Sequence, residues 1–140
     1  VKRNSAEGGK YGEEVAHARM KELGYERIDK GGDYVHGRNG IDGVYRNPSP
    51  PPDYVIMEAK YNTAGLDKLK DGTRQMSDKW IKDHLPNAVG AKDARLIAAG
   101  LQDGSVMRVV IKISEDGKAV GSIVNKDGYI IRGKKGNWPL

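Results

Sequence analysis

Two periods of apolar and polar residues run along this chain. Between Lys10 and Leu23, Tyr11, Val15 and Ala18, with Ala16, Met20 and Leu23, recur at three- and four-residue steps, which predicts an amphipathic helix. Gly24 follows as its stop, and residues 1–9 read as a flexible leader. Tyr25 to Ile28 lead into a Gly-rich loop in which Asp33-Tyr34-Val35 reads as a short first strand. Next come two apolar runs, Gly40 to Tyr45 and Tyr54 to Tyr61, around a turn, the pattern of a β-hairpin. The connection Asn47-Pro48-Ser49-Pro50-Pro51-Pro52-Asp53 lacks most of the N–H groups a ladder needs. It predicts an exposed, stiff, polyproline-like loop. The competing reading, an interdomain linker, would separate the acids on its two sides.

A second helix is predicted from Thr73 to Leu85, burying Met76, Trp80, Ile81 and Leu85 and stopped by Pro86. Asn87 to Asp93 reads as a loop or a turn of helix. The last third reads as strands: Ala94–Leu101, Val106–Ile113, Ala119–Val124 and Tyr129–Arg132. Glu115-Asp116-Gly117-Lys118 and Lys126-Asp127-Gly128 form the turns. The basic tail, residues 133–140, reads as flexible. The order of elements predicts an α/β (α+β) domain, a mixed central sheet flanked by helices.

Composition narrows the class. The 140 residues suit a single domain, 1–140. With no Phe, seven Tyr and two Trp supply the aromatic bulk, so the core should keep hydrogen-bonded edges. A formal charge of +5 and a pI near 9.3 favour a polyanionic partner, surplus surface lysine being the plainer explanation. The lack of Cys excludes disulfides and thiolate metal sites. No apolar run is long enough to span a membrane. The opening Val1-Lys2-Arg3 carries no signal peptide, and the chain reads as a fragment of a larger protein.

The hairpin carries the chemistry. Strand side chains alternate between faces, so Glu58 and Lys60 point the same way, with Asp42 on the neighbouring strand. Two acids and an amine are costly to bury unless paired or bound to a metal. The plainer readings are a turn residue for Asp42 and, for Glu58 and Lys60, an exposed ion pair contributing about 0–1 kcal/mol. Val55, Ile56 and Met57 make the strand look buried on both faces, which argues for function. Phosphodiester hydrolysis needs a divalent cation to polarise the phosphoryl group and hard oxygen ligands to hold it. It also needs a cation or base beside the attacking water. Asp42, Glu58 and the backbone carbonyl of Ala59 supply the first set, and Lys60 the second.

An acid, a turn and then Glu-x-Lys resembles the signature of the PD-(D/E)xK restriction-endonuclease-like nucleases, with Asp42 in Gly-Ile-Asp-Gly and Glu58-Ala59-Lys60. Ile41 stands where the parent signature has proline. The surrounding segments are Tyr11-Gly12-Glu13, Gly24-Tyr25-Glu26-Arg27-Ile28, Tyr54 to Tyr61 and Asp71 to Ile81. In that order they look like the nuclease domains at the C-termini of bacterial polymorphic toxins. The resemblance covers roughly the first two thirds of the chain and implies a restriction-endonuclease-like sheet. It also implies an interbacterial toxin dependent on Mg²⁺ or Mn²⁺, other divalent cations being admissible. Such a toxin cleaves DNA, or RNA in a minority of relatives, and a cognate immunity protein neutralises it. The larger effector is secreted or displayed at the cell surface by contact-dependent inhibition, Rhs, type VI or LXG systems. It acts in the cytoplasm of the target bacterium. By the same resemblance Glu13 and Gln75 join the catalytic set of Asp42, Glu58 and Lys60.

The other residues stay open. Glu14 fits the helix pattern as well as Glu13, and Gln75 also reads as a surface amide. Arg74, Lys79 and Lys82 either grip phosphate or decorate a solvated helix face. Trp80 reads as core. His17, His36 and His84 share no metal-ligand spacing and read as surface or loop residues. Two rival functions remain: an RNase (tRNase) toxin on the same fold, and a non-catalytic basic module that binds nucleic acid.

Overall fold

The structure, a computed structural model, describes residues 2–31 and 40–140. The expected first strand at Asp33-Tyr34-Val35, and His36, lie outside the described residues.

Helix α1, Ser5–Glu22, starts earlier than the apolar stripe suggests. Asn4 caps it: its side chain accepts from Glu7 N at 2.9 Å while the Glu7 carboxylate accepts from Asn4 N at 3.2 Å. Residues 5–9, read as leader, are thus its first turns. The buried line is Gly8, Gly12, Ala16 and Met20, a four-residue step of mostly small side chains. They bring the helix backbone close to the sheet: a Cβ on Gly8 would lie 2.3 Å from the Tyr61 ring. Ala18 and Leu23, expected in the stripe, are exposed.

Among the described residues the sheet has six strands in sequence order: β1 Glu26–Arg27, β2 Gly43–Arg46, β3 Tyr54–Tyr61, β4 Val106–Ile113, β5 Ala119–Ile123 and β6 Asn137–Trp138. All neighbours are antiparallel except β3 and β4, which run parallel. The hairpin β2–β3 is present as read, its loop pinned by the buried Asn47, which donates to Pro52 O at 2.8 Å.

Parallel strands cannot be joined by a tight turn and need a crossover, usually helical. Helices α2, Asp78–Ala88, and α3, Ala91–Asp103, provide it. This corrects the reading of Ala94–Leu101 as a strand. Its apolar run looks continuous, but Ala94, Ile97, Ala98 and Leu101 reach the core at helical steps while Leu96 stays 49% exposed. Helix α2 also starts later than expected. Ser77 is its N-cap, accepting from Trp80 N at 3.3 Å, so Thr73 to Met76 precede the helix. Pro86 sits within its last turn instead of ending it.

At the C-terminus, Tyr129–Arg132, read as a strand, makes a single isolated bridge among the described residues, Ile130 to Val124. Residues 134–138, read as part of a flexible tail, form a 3-10 turn at Lys134–Gly136 and then β6, paired to β5. Two cores result. Ala16, Met20, Tyr45, Val55, Met57, Val109 and Ile111 pack between α1 and the sheet. Val44, Ile56, Trp80, Ile81, Leu85, Ile97 and Val110 pack between the sheet and α2 and α3. The fold is α+β, a mixed sheet between helical layers. Among the described residues no helix is long and apolar enough to cross a membrane.

Candidate active site

Tyr54 and Ile56 face α2 and α3, so Glu58 and Lys60, at the same strand parity, face that side too. The β2–β3 register pairs Gly43 with Met57, and one further step sets Asp42 opposite Glu58. The two acids interlock through backbone groups. Asp42 N donates to Glu58 Oε1 at 3.0 Å, and Ala59 N donates to Asp42 Oδ2 at 2.8 Å. In an extended strand the N–H and C=O of one residue point to the same edge. The Ala59 carbonyl therefore opens on the edge where Asp42 lies.

Gln75 completes the clamp. Its amide donates to Glu58 Oε2 at 2.8 Å, and its carbonyl accepts from Asp67 N at 3.1 Å. Glu58 and Gln75 are 2% and 4% exposed, so this polar contact lies inside the protein. Gln75 is not on a helix, contrary to expectation. It stands in the turn before α2, next to Met76, whose φ of 71° is unusual for a side chain of that size. That turn carries the chain from the Gln75 clamp to the Ser77 cap within two residues.

Burial raises the proton affinity of all three acids. Glu58 is held well above the ordinary carboxylate range by desolvation and then by Asp42 beside it. Asp42 is also raised by desolvation, against the pull of the Ala59 hydrogen bond and the Lys60 charge. Glu13 is pushed up to about 7, by burial first and then by Asp42. Glu13 is half-buried and Glu14 exposed, so α1 turns the former toward the site. Among the described residues no three His, Asp or Glu side chains gather as a ligand group. The acid set is buried Glu58 and half-buried Asp42, with Glu13 in Coulombic reach of Asp42. Two hard carboxylates facing each other, their proton affinity raised by burial, are the donor chemistry that suits Mg²⁺ or Mn²⁺.

Arg74, Lys79 and Lys82, read as gripping phosphate or decorating a solvated helix face, have partners of their own or face solvent. Arg74 stacks over the Tyr129 ring at 3.9 Å and donates to Gly128 O at 3.3 and 3.2 Å. Lys79 pairs with Asp83 at 2.8 Å along α2, and Lys82 is exposed on the same helix. Trp80 is core as read. His84 stacks on it with ring centroids 4.3 Å apart. His17 is not a surface residue. It is half-buried, bonded through Nδ1 to the Tyr45 hydroxyl, and burial, then Arg27, lowers it to about 4. Lys112 was not singled out by the sequence, yet the β3–β4 register sets it beside Lys60. No local pattern marks it, because its neighbour is 52 positions away by that register.

Comparison of the chain with protein-family models, with curated proteins and with solved structures finds no match.

Proposed function

We propose that this chain is a metal-dependent endonuclease that hydrolyses phosphodiester bonds, with DNA as its substrate. The observation that carries the reading is the interlock of half-buried Asp42 with buried Glu58, with Lys60 on the same face one residue pair further along β3. Asp42, Glu58 and the Ala59 carbonyl are the groups that would hold Mg²⁺ or Mn²⁺. Such an ion, when bound, polarises a phosphoryl oxygen and lowers the pKa of its water.

The chain's own residues do the rest. Gln75 fixes the rotamer of Glu58, and the Ala59 N–H fixes that of Asp42. Lys60 brings an ammonium group to the site, to orient the attacking water and to offset charge as the phosphorane forms. Glu13, with a pKa near 7, can carry a proton beside Asp42 at neutral pH. The net charge of +5 favours a polyanionic substrate. We further infer an interbacterial toxin role with an acidic immunity protein as partner, on the motif resemblance alone. Co-expression with a neighbouring acidic protein should relieve growth arrest, and persistent arrest would remove this part of the reading.

The test sets supercoiled plasmid and total tRNA side by side, with Mg²⁺, with Mn²⁺ and with excess EDTA. Plasmid nicking or linearisation that needs the cation is expected. It should be lost in Asp42→Asn and Lys60→Ala, both folded by circular dichroism. Cleavage of tRNA alone would replace DNA with RNA. Full activity in EDTA or in either variant would overturn the assignment.

A further inference from the structure

Lys112 lies on β4, in parallel register with Lys60 on β3. Register partners in a sheet point to the same face, so the two ammonium groups share the face that carries Glu58. Adjacent strands lie ~4.8 Å apart, and like charges directly opposite one another are destabilising. Lys60 has Asp42 and Glu58 in Coulombic reach, whereas the sheet register gives Lys112 no acid. The other register partner of Lys112 is Val120 on β5. Continuing the β2–β3 register, the position opposite Lys60 is Gly40.

The nearby carboxylates are turned to other donors: Glu58 accepts from Asp42 N and Gln75, and Asp42 accepts from Ala59 N. Among the described residues neither lysine takes part in an ion pair or side-chain hydrogen bond, and both are half-buried. Two half-buried lysines side by side, of which Lys112 has no acid in register, offer an anion seat at the edge of the acid pair.

We propose that Lys112, beside Lys60, binds a backbone phosphate of a polynucleotide, next to the phosphate that lies at Asp42, Glu58 and Lys60. Positions i and i+2 on a strand are ~6.6 Å apart. Glu58 and the lysine pair therefore follow one another along the sheet, an acid and then two amines. The acids and Lys60 address the metal and the scissile group, while Lys112 holds the strand in register beside it. Lys112 is a positioning residue that touches substrate away from the reacting atoms. The identity of the polyanion rests on the nuclease reading; the anion seat itself rests on register and charge.

The experiment measures binding without cleavage. A fluorescein-labelled 20-base-pair DNA duplex and its single strand are titrated in EDTA by fluorescence anisotropy over a range of salt concentrations. Lys112→Met keeps the apolar stem and removes the charge. It should weaken binding about 5- to 10-fold at low salt and reduce the slope of log affinity against log salt by about one. Lys112→Arg should restore both. The melting temperature of Lys112→Met should equal or exceed that of the wild type, because a repulsion is removed. Unchanged affinity and slope in Lys112→Met would overturn the seat, as would a lowered melting temperature with an unchanged slope. Cleavage by the wild type alongside such a result would leave the nuclease reading intact. Tight, Lys112-dependent binding with no cleavage under any divalent cation would instead sustain the seat and defeat the nuclease.

Discussion

Glu58 holds a buried carboxyl whose oxygens accept from the Asp42 N–H and the Gln75 amide. Such a group is specified by its partners more than by its own charge. Replacing Gln75 with Ala would strand Glu58 Oε2 and Asp67 N, and an orphaned buried polar group costs about 1–3 kcal/mol. Urea unfolding of Gln75→Ala should show a loss of that size. Glu13 lends itself to a pH test. Its pKa rises from 4.5 to about 7 on folding, so the folded state binds the extra proton. Its contribution to stability is fully present below about 4.5 and is lost as pH rises through 7. Glu13→Gln should therefore match the wild type near pH 4.5 and become progressively more stable than it by pH 8, measured in metal-free buffer. Asp42 and Glu58, also raised, act in the same direction. His17 acts oppositely: lowered to about 4, it weakens the fold as pH falls below its unfolded value of 6.5, where only the unfolded chain gains the proton. Comparing Glu13→Gln with the wild type cancels that term.

The elements owe their limits to caps that periodicity does not see. Asn4 and Glu7 start α1 at Ser5, several residues ahead of the apolar stripe. Loss of an N-cap side chain costs about 1 kcal/mol. Asn4→Ala should lower stability by that amount in chemical denaturation. No change would mean that the helix gains nothing from its first turn. Ser77→Ala should have a similar cost and a second effect, since the same cap holds the turn that aims Gln75 at Glu58. The hairpin β2–β3 was legible because two apolar runs, a proline-rich break and β-branched residues all agree over Gly40 to Tyr61. Helix α3 was not. Its apolar residues crowd into Leu96 to Leu101, where a buried strand and a helix look alike until the burial of Ile97 and Gly100 is known.

On the scale of the whole molecule, the parallel pairing of β3 with β4 organises everything else. It requires the α2–α3 crossover, divides the core in two, and carries Lys112 to Lys60. The C-terminal segment closes the far edge of the sheet, with Trp138 packed on Gly121 and its ring tilted against Tyr25 at 5.7 Å. Removing residues 137–140 should cost about 1–2 kcal/mol of stability, the worth of a partly buried aromatic side chain. Thermal melting of the truncated chain checks this. By itself the sequence determined the hairpin, the shared face of Glu58 and Lys60, and the proximity of Asp42, because these follow from period-two alternation and a short turn. It also determined the run of Val106 to Ile113 as a strand. Only the tertiary structure decided that Gln75 clamps Glu58 from a turn, that α1 docks through Gly8 and Gly12, and that Lys112 stands beside Lys60. Those contacts join residues far apart in the chain, and they are chosen by which surfaces can be buried together rather than by any local pattern of residues.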